Sequence, residues 1–170
     1  MADYYTQAVI KGAYYLTPDQ AEILKARGAE LYETGEERTV LDSMTDGSAP
    51  SREYSIAFEE GYREYPETFE EWLEDYADDE DPDHYSDYFK KLFELPEERL
   101  FLEILKNNPG AVEIQKEEAH TCSKMREDGF GGGSLVVTRK GYLWIYSGSF
   151  DVYEDGTIKV RAEFVEWDDE

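Results

Sequence analysis

The residues best suited to chemistry lie together in one stretch. It runs from His120 to Gly133 and reads His-Thr-Cys-Ser-Lys-Met-Arg-Glu-Asp-Gly-Phe-Gly-Gly-Gly. It holds the single Cys of the chain, Cys122, and one of its two His, His120. Two residues apart on a strand, these side chains share a face. A thiol nucleophile needs a lowered pKa, which a charged His120 and Lys124 would supply. Such a centre also needs a group that orients the base, and the many nearby acids would raise the thiol pKa. Two further readings stand beside it. His120, Cys122, Lys124 and Arg126 form an alternative ligand site, with the two bases holding a small anion. Or Cys122 is a small buried residue, and Lys124 and Arg126 pair neighbouring carboxylates. No catalytic residue is assigned.

Other chemistries fit less well. His84, His120 and Cys122 lack standard zinc-ligand spacing, so no metal and no cofactor is expected. The glycines Gly129, Gly131, Gly132 and Gly133 are not a phosphate loop. Such loops open a helix, whereas a strand-like run follows here. Bulging or close backbone packing accounts for them.

A second group of residues can act by charge alone. The 170-residue chain has 41 acids and 17 bases, a net charge of −24. Between Glu59 and Glu103 there are 18 acids and 4 bases, 18 − 4 giving a net −14. Direct binding to nucleic acid needs bases to neutralise phosphates, so it is excluded. An anionic membrane surface is likewise not an expected partner. A basic protein surface would be attracted. Glu67, Glu70, Glu71, Glu74, Asp75, Asp78, Asp79, Glu80 and Asp81 form the candidate partner-binding face. Carboxylates three or four residues apart on a helix lie about 5–6 Å from one another. That spacing is comparable to the separation of successive phosphates on one strand. The face can therefore imitate nucleic-acid charge and block the basic groove of a host nucleic-acid-binding or defence protein. An antirestriction or anti-CRISPR type of inhibitor, not an enzyme, is the expectation. The competing explanation is that the acidity serves solubility or salt adaptation.

The elements that position these residues can be read from patterning. Tyr4 to Leu16 is rich in β-formers and reads as a strand, with Gly12 marking a bulge or a close approach. Thr17, Pro18 and Gln20 make a capping box for a helix expected to reach about Leu31. Residues 34–52 read as a loop, with a short strand available at Thr39 to Leu41. Tyr54 to Phe58 alternates as a strand. Pro66 is expected to open a helix with Phe69, Trp72, Leu73 and Tyr76 as its apolar stripe. Asp81 and Pro82 restart a helix bearing Tyr85, Tyr88, Phe89, Leu92 and Phe93. Pro96 opens a third, with Leu100, Phe101, Ile104 and Leu105 for burial, ended at Asn107-Asn108-Pro109-Gly110. Ala111 to Ala119 is a strand with Val112 and Ile114 on one face. A meander of strands at Ser134–Thr138, Tyr142–Tyr146, Phe150–Tyr153 and Thr157–Trp167 follows, with a hairpin turn at Glu154-Asp155-Gly156.

The expected architecture is α+β over residues 1–170 as a single domain. It has a mainly antiparallel sheet, helices on one face, a C-terminal β-meander, and an acidic helical segment at about 59–107. One Cys permits no internal disulfide, and no signal peptide or spanning segment is apparent, so a cytoplasmic protein is expected.

Ala119-His120-Thr121-Cys122-Ser123-Lys124-Met125-Arg126, then Phe130-Gly131-Gly132-Gly133, Val136-Val137-Thr138 and Trp144, resembles a family of uncharacterised bacterial and mobile-element proteins. The Tyr4-Tyr5-Thr6 strand, the helix start from Leu16 to Ala21 and the Asp81-Pro82-Asp83-His84 start are similar as well. The acidic run from Glu67 to Asp81 departs from the family pattern. The resemblance implies a shared fold and no particular reaction.

Overall fold

The computed structural model describes residues 4–35, 37–42, 47–61, 66, 68–79, 81–122 and 131–168. At its centre lies β1 (Tyr4–Leu16), a strand long enough to pair two neighbours and still bend. It pairs antiparallel with β4 (Gly47–Gly61) on one side and β5 (Glu113–Cys122) on the other. Its register against β4 shifts between Val9 and Ala13, so the expected bulge at Gly12 is present. Beyond β4 come β2 (Glu30–Glu33) and β3 (Arg38–Asp42); beyond β5 come β6 (Gly131–Thr138) and β7 (Gly141–Tyr146). The short β10 (Val165–Glu166) closes the other edge, giving the order β10-β7-β6-β5-β1-β4-β2, with β3 also on β4.

Alternation divides this sheet into two faces. Ile10, Lys116, Leu135 and Trp144 lie opposite one another across β1, β5, β6 and β7. Ile10 and Leu135 are fully buried, as are Ile56 and Ile114. The next row, Val9, Glu117, Ser134 and Ile145, points the other way, and its apolar ends Val9 and Ile145 are exposed. Helices therefore cover one face. They are α1 (Pro18–Ala26), α2 (Phe69–Asp75), α3 (Asp87–Phe93) and α4 (Glu97–Lys106). Ile23, Leu24, Leu92, Leu100, Phe101, Ile104 and Leu105 supply the core from the helix side. This is the α+β arrangement expected, with a C-terminal antiparallel meander joined to β5.

The Thr17 box caps α1 as expected: Thr17 Oγ1 accepts from Gln20 N at 3.3 Å, and Gln20 Oε1 accepts from Thr17 N at 3.1 Å. The helix stops earlier than the sequence suggested. Gly28 takes a left-handed φ of 90°, and Ala29 N turns back to Leu24 O at 2.9 Å. A left-handed glycine ends a helix at little steric cost, so Leu31 falls in β2 instead. The short strand expected at Thr39 to Leu41 is present as β3, and the end of the expected loop at 34–52 is the first part of β4. Its polar composition is overcome by pairing, since β4 pairs with β1, β2 and β3 along its length.

Further along, Thr68 and not Pro66 caps α2, accepting from Glu71 N at 3.2 Å. Asp81 and Pro82 open only one 3-10 turn, Pro82–His84, and α3 begins separately after the Ser86 cap. Val112 lies outside β5 and is exposed, so it shares no buried face with Ile114. The last expected strand, Thr157 to Trp167, is two strands. Its first part, β9 (Ile158–Val160), pairs with β8 (Phe150–Val152) in a separate two-stranded ribbon, and β10 returns to β7.

Two polar contacts tie the helices to the sheet. Asn108 Oδ1 accepts from Tyr15 N at 2.7 Å while its Nδ2 donates to Tyr15 O at 2.9 Å and Ile104 O at 2.7 Å. The side chain thus acts as a one-residue strand partner for β1. Arg139 donates to Leu105 O, Asn108 O and Ala111 O at 2.8, 3.0 and 2.6 Å. A cation at a helix C-terminus satisfies its unpaired carbonyls and complements its dipole.

Candidate functional site

The acidic face is built on a short helix with a strongly divided surface. Phe69, Trp72 and Leu73 are buried; Glu70, Glu71, Glu74 and Asp75 are exposed on the same seven-residue α2. Tyr76, expected in the apolar stripe, is the C-cap residue and is exposed. The buried side seats in an aromatic cluster. Phe69 lies 5.5 Å from Tyr85, 6.1 Å from Phe89 and 6.2 Å from Phe93, ring centre to ring centre, in edge-on contacts. Trp72 lies 5.4 Å from Tyr85 and 5.6 Å from Phe93. Edge-to-face pairs add about 0.5–1.5 kcal/mol each beyond burial. That anchoring offsets the end of α2, where Glu74 and Asp75 oppose the helix dipole and no base stands in the last turn.

Asp78, Asp79 and Asp81 continue the exposed acids past the helix. They do not form a loose tail. Asp79 Oδ1 accepts from Asp81 N at 3.1 Å, and Asp81 Oδ1 accepts from Asp83 N at 2.9 Å. Tyr85 Oη donates to Asp79 O at 3.2 Å. His84 binds the Asp79 carboxylate through Nδ1, and its Nε2 lies 3.4 Å from Asp81 Oδ2. The hydrogen bond to Asp79 raises the His84 pKa above its ordinary value, with the charges of Asp79 and Asp81 acting in the same direction. The same bond, with the Asp81 amide, lowers the Asp79 pKa. Sequence reasoning weighed His84 only as a metal ligand. Its spacing of five from Asp79 and three from Asp81 carried the clue. Glu67 and Glu80 lie outside the described residues.

Seven of the nine predicted acids thus share one continuous, exposed segment. From Thr68 to Asp83 the sequence has no Lys or Arg. Such an array of like charges attracts cations electrostatically. Among the described residues, no group of three or more His, Cys, Asp and Glu is arranged to hold a metal ion. No helix among them is long and apolar enough to cross a membrane.

The alternative ligand site is placed only in part. His120 and Cys122 end β5, opposite Thr6 and Tyr4 of β1. Lys124 and Arg126 lie outside the described residues.

Four residues before His120 in β5 is a charged cluster the sequence did not disclose. Lys116 is buried, 8% exposed, and its ammonium pairs with Glu97 at the start of α4 and with Glu118 at 2.6 Å. It also lies 5.3 Å from the Phe58 ring centre and 5.9 Å from that of Trp144. Burial alone would lower its pKa; the two carboxylates outweigh this and raise it. Lys116 therefore stays an ammonium and pins α4 to β5, instead of acting as a neutral amine nucleophile. Its signal was a Lys at the position after next from Ile114, inward by alternation.

Comparison of the chain with models of known families, with curated proteins and with solved structures finds no match in any of the three.

Proposed function

We propose that this protein is a nonenzymatic inhibitor that mimics nucleic-acid charge. Its acidic segment occupies the basic groove of a host nucleic-acid-binding or defence protein, in the manner of antirestriction or anti-CRISPR proteins. Membership of the mobile-element family, and action inside the cytoplasm, belong to the same proposal. One observation carries it: Glu70, Glu71, Glu74, Asp75, Asp78, Asp79 and Asp81 are all exposed on a segment without Lys or Arg. The aromatic cluster under α2 and the His84 contacts hold those acids in place before any partner arrives. Preorganised charge binds with less ordering cost than a flexible acidic tail.

The test is competition. Immobilised protein is exposed to nuclease-treated host lysate at low salt, and retained proteins are challenged with duplex DNA or RNA. The proposal expects retention of a nucleic-acid-binding protein and its release by nucleic acid. Retention of none, or retention insensitive to nucleic acid, overturns it.

A further inference from the structure

The ribbon formed by β8 and β9 stands apart from the main sheet and has one apolar side. Phe150 pairs with Val160 and Val152 with Ile158, so these four side chains share a face. They are 51, 62, 63 and 65% exposed, in the order Phe150, Val160, Val152, Ile158. On the opposite face Asp151 faces Lys159. A lone two-stranded hairpin is marginal in water, yet this one is braced. Arg161 N donates to Ser149 O at 2.7 Å, Arg161 Nη2 donates to Gly148 O at 2.9 Å, and Arg161 Nε lies 3.4 Å from Asp151. At the tip, Asp155 Oδ1 accepts from Thr157 N at 3.0 Å and Tyr153 N donates to Thr157 O at 2.9 Å.

We infer that this face is a docking element for a basic protein surface with an apolar centre, an inference that rests on the basic partner proposed above. Charge selects the occupant. Residues 147–168 hold six acids and two bases, 2 − 6 giving −4. Of the two bases, Arg161 is committed to the ribbon itself and Lys159 faces Asp151. The rim left to a partner is Glu154, Asp155 and Glu163, all exposed. Area argues the same way. Four side chains exposed to this degree offer a few hundred Å², below the roughly 800 Å² per partner of a standard interface. The remainder must come from the charged surroundings. A second copy would set acidic rim against acidic rim in chains of −24 each. A basic partner turns the same rim into attraction. Apolar contact at the centre with a charged rim is the usual plan of such interfaces.

Two probes separate the terms: a short amphipathic helical peptide of lysine and leucine, and a peptide of equal charge with serine at the leucine positions. Val152→Thr with Ile158→Thr keeps β-branching and removes the apolar contact. Binding is followed by calorimetry across a salt series. The wild-type protein should prefer the leucine peptide. The Thr pair should lose about tenfold of that affinity, equivalent to a few buried methyls, with the salt dependence unchanged. Reversing Glu70, Glu74, Asp75 and Asp78 to Lys should weaken both peptides and flatten the salt dependence. If the Thr pair is silent while the acid reversals act, the docking inference fails and the charge-mimic reading stands. If neither peptide binds at low salt, both fail. A dimer in sedimentation that the Thr pair dissolves would make the occupant a second copy and overturn the inference.

Discussion

His84 clasps Asp79 across the turn that closes the acidic segment, its Nδ1 on the Asp79 carboxylate and its Nε2 3.4 Å from Asp81. An imidazole five residues on therefore fixes the direction of carboxylates that would otherwise repel one another into solvent. The contact makes the acidic loop a shaped surface and gives it a pH dependence.

That dependence has a definite sign. Folding raises the His84 pKa, so its contribution is fully present below the ordinary 6.5 and is lost as pH rises through the raised value. Folding lowers the Asp79 pKa, so its contribution is present above the ordinary 3.8 and is lost as pH falls through the lowered value. The clasp is at full strength between those two values. NMR titration of the His84 ring should give a midpoint above 6.5 that falls toward 6.5 in Asp79→Asn. A midpoint at or below 6.5 in the wild-type protein would mean the clasp does not form.

Lys116 should matter far more to stability than an ordinary sheet lysine. Lys116→Met strands Glu97 and Glu118 beside Phe58 and Trp144. Removing one partner of a buried charge cluster costs about 3–5 kcal/mol; with Glu97 27% exposed, the lower end applies. Adding Glu97→Gln and Glu118→Gln should recover most of the loss, because no charge is then left unpaired. Urea denaturation measures both. A single variant as stable as wild type would remove Lys116 from the account of how α4 is held.

These residues also mark what could be read from sequence. The Thr17 cap, the Phe69, Trp72 and Leu73 stripe, and the α4 core residues are set by local rules of capping and periodicity, and the structure places them as expected. The inward position of Lys116 could be read by alternation from Ile114, but its pairing was not legible, because it depends on a carboxylate 19 residues away on another element. The short strand at Thr39 to Leu41 was legible and is β3, whereas the first part of β4 was hidden under polar composition, its stability coming from pairing with β3. The end of the first helix was not legible, because it rests on the left-handed backbone of Gly28, short of the expected Leu31. For the candidate site, the acids were visible as composition and spacing. The clasp by His84 and the exposure of the ribbon needed tertiary placement.

The glycine run provides a steric test. A Cβ on Gly132 would stand 2.5 Å from Glu118 O, in the backbone of β5. Gly132→Ala must push β5 and β6 apart or distort both, at a cost of about 1–3 kcal/mol. A Cβ on Gly110 would meet nothing within 4 Å, so Gly110→Ala should be nearly neutral. Thermal unfolding of the two variants side by side should show a lowered midpoint for Gly132→Ala alone. Equal midpoints would remove close strand approach as the reason for glycine at 132.

The central claim is that the exposed carboxylates of α2 and its following loop bind a basic partner. The most direct measurement is the salt dependence of affinity for the lysate protein recovered by competition, in wild type and in Glu70→Lys/Glu74→Lys/Asp75→Lys/Asp78→Lys. The reversed residues are exposed and leave Phe69, Trp72 and Leu73 in place, and exposed changes usually cost less than about 0.5 kcal/mol each. The variant should therefore fold with near-native stability. It should bind at least about a hundredfold more weakly at low salt, an effect of about 2.7 kcal/mol spread over four charges, and its affinity should vary less with salt. A folded variant that binds like the wild-type protein, with the same salt dependence, would contradict the account and reduce the acidic segment to a solvated surface.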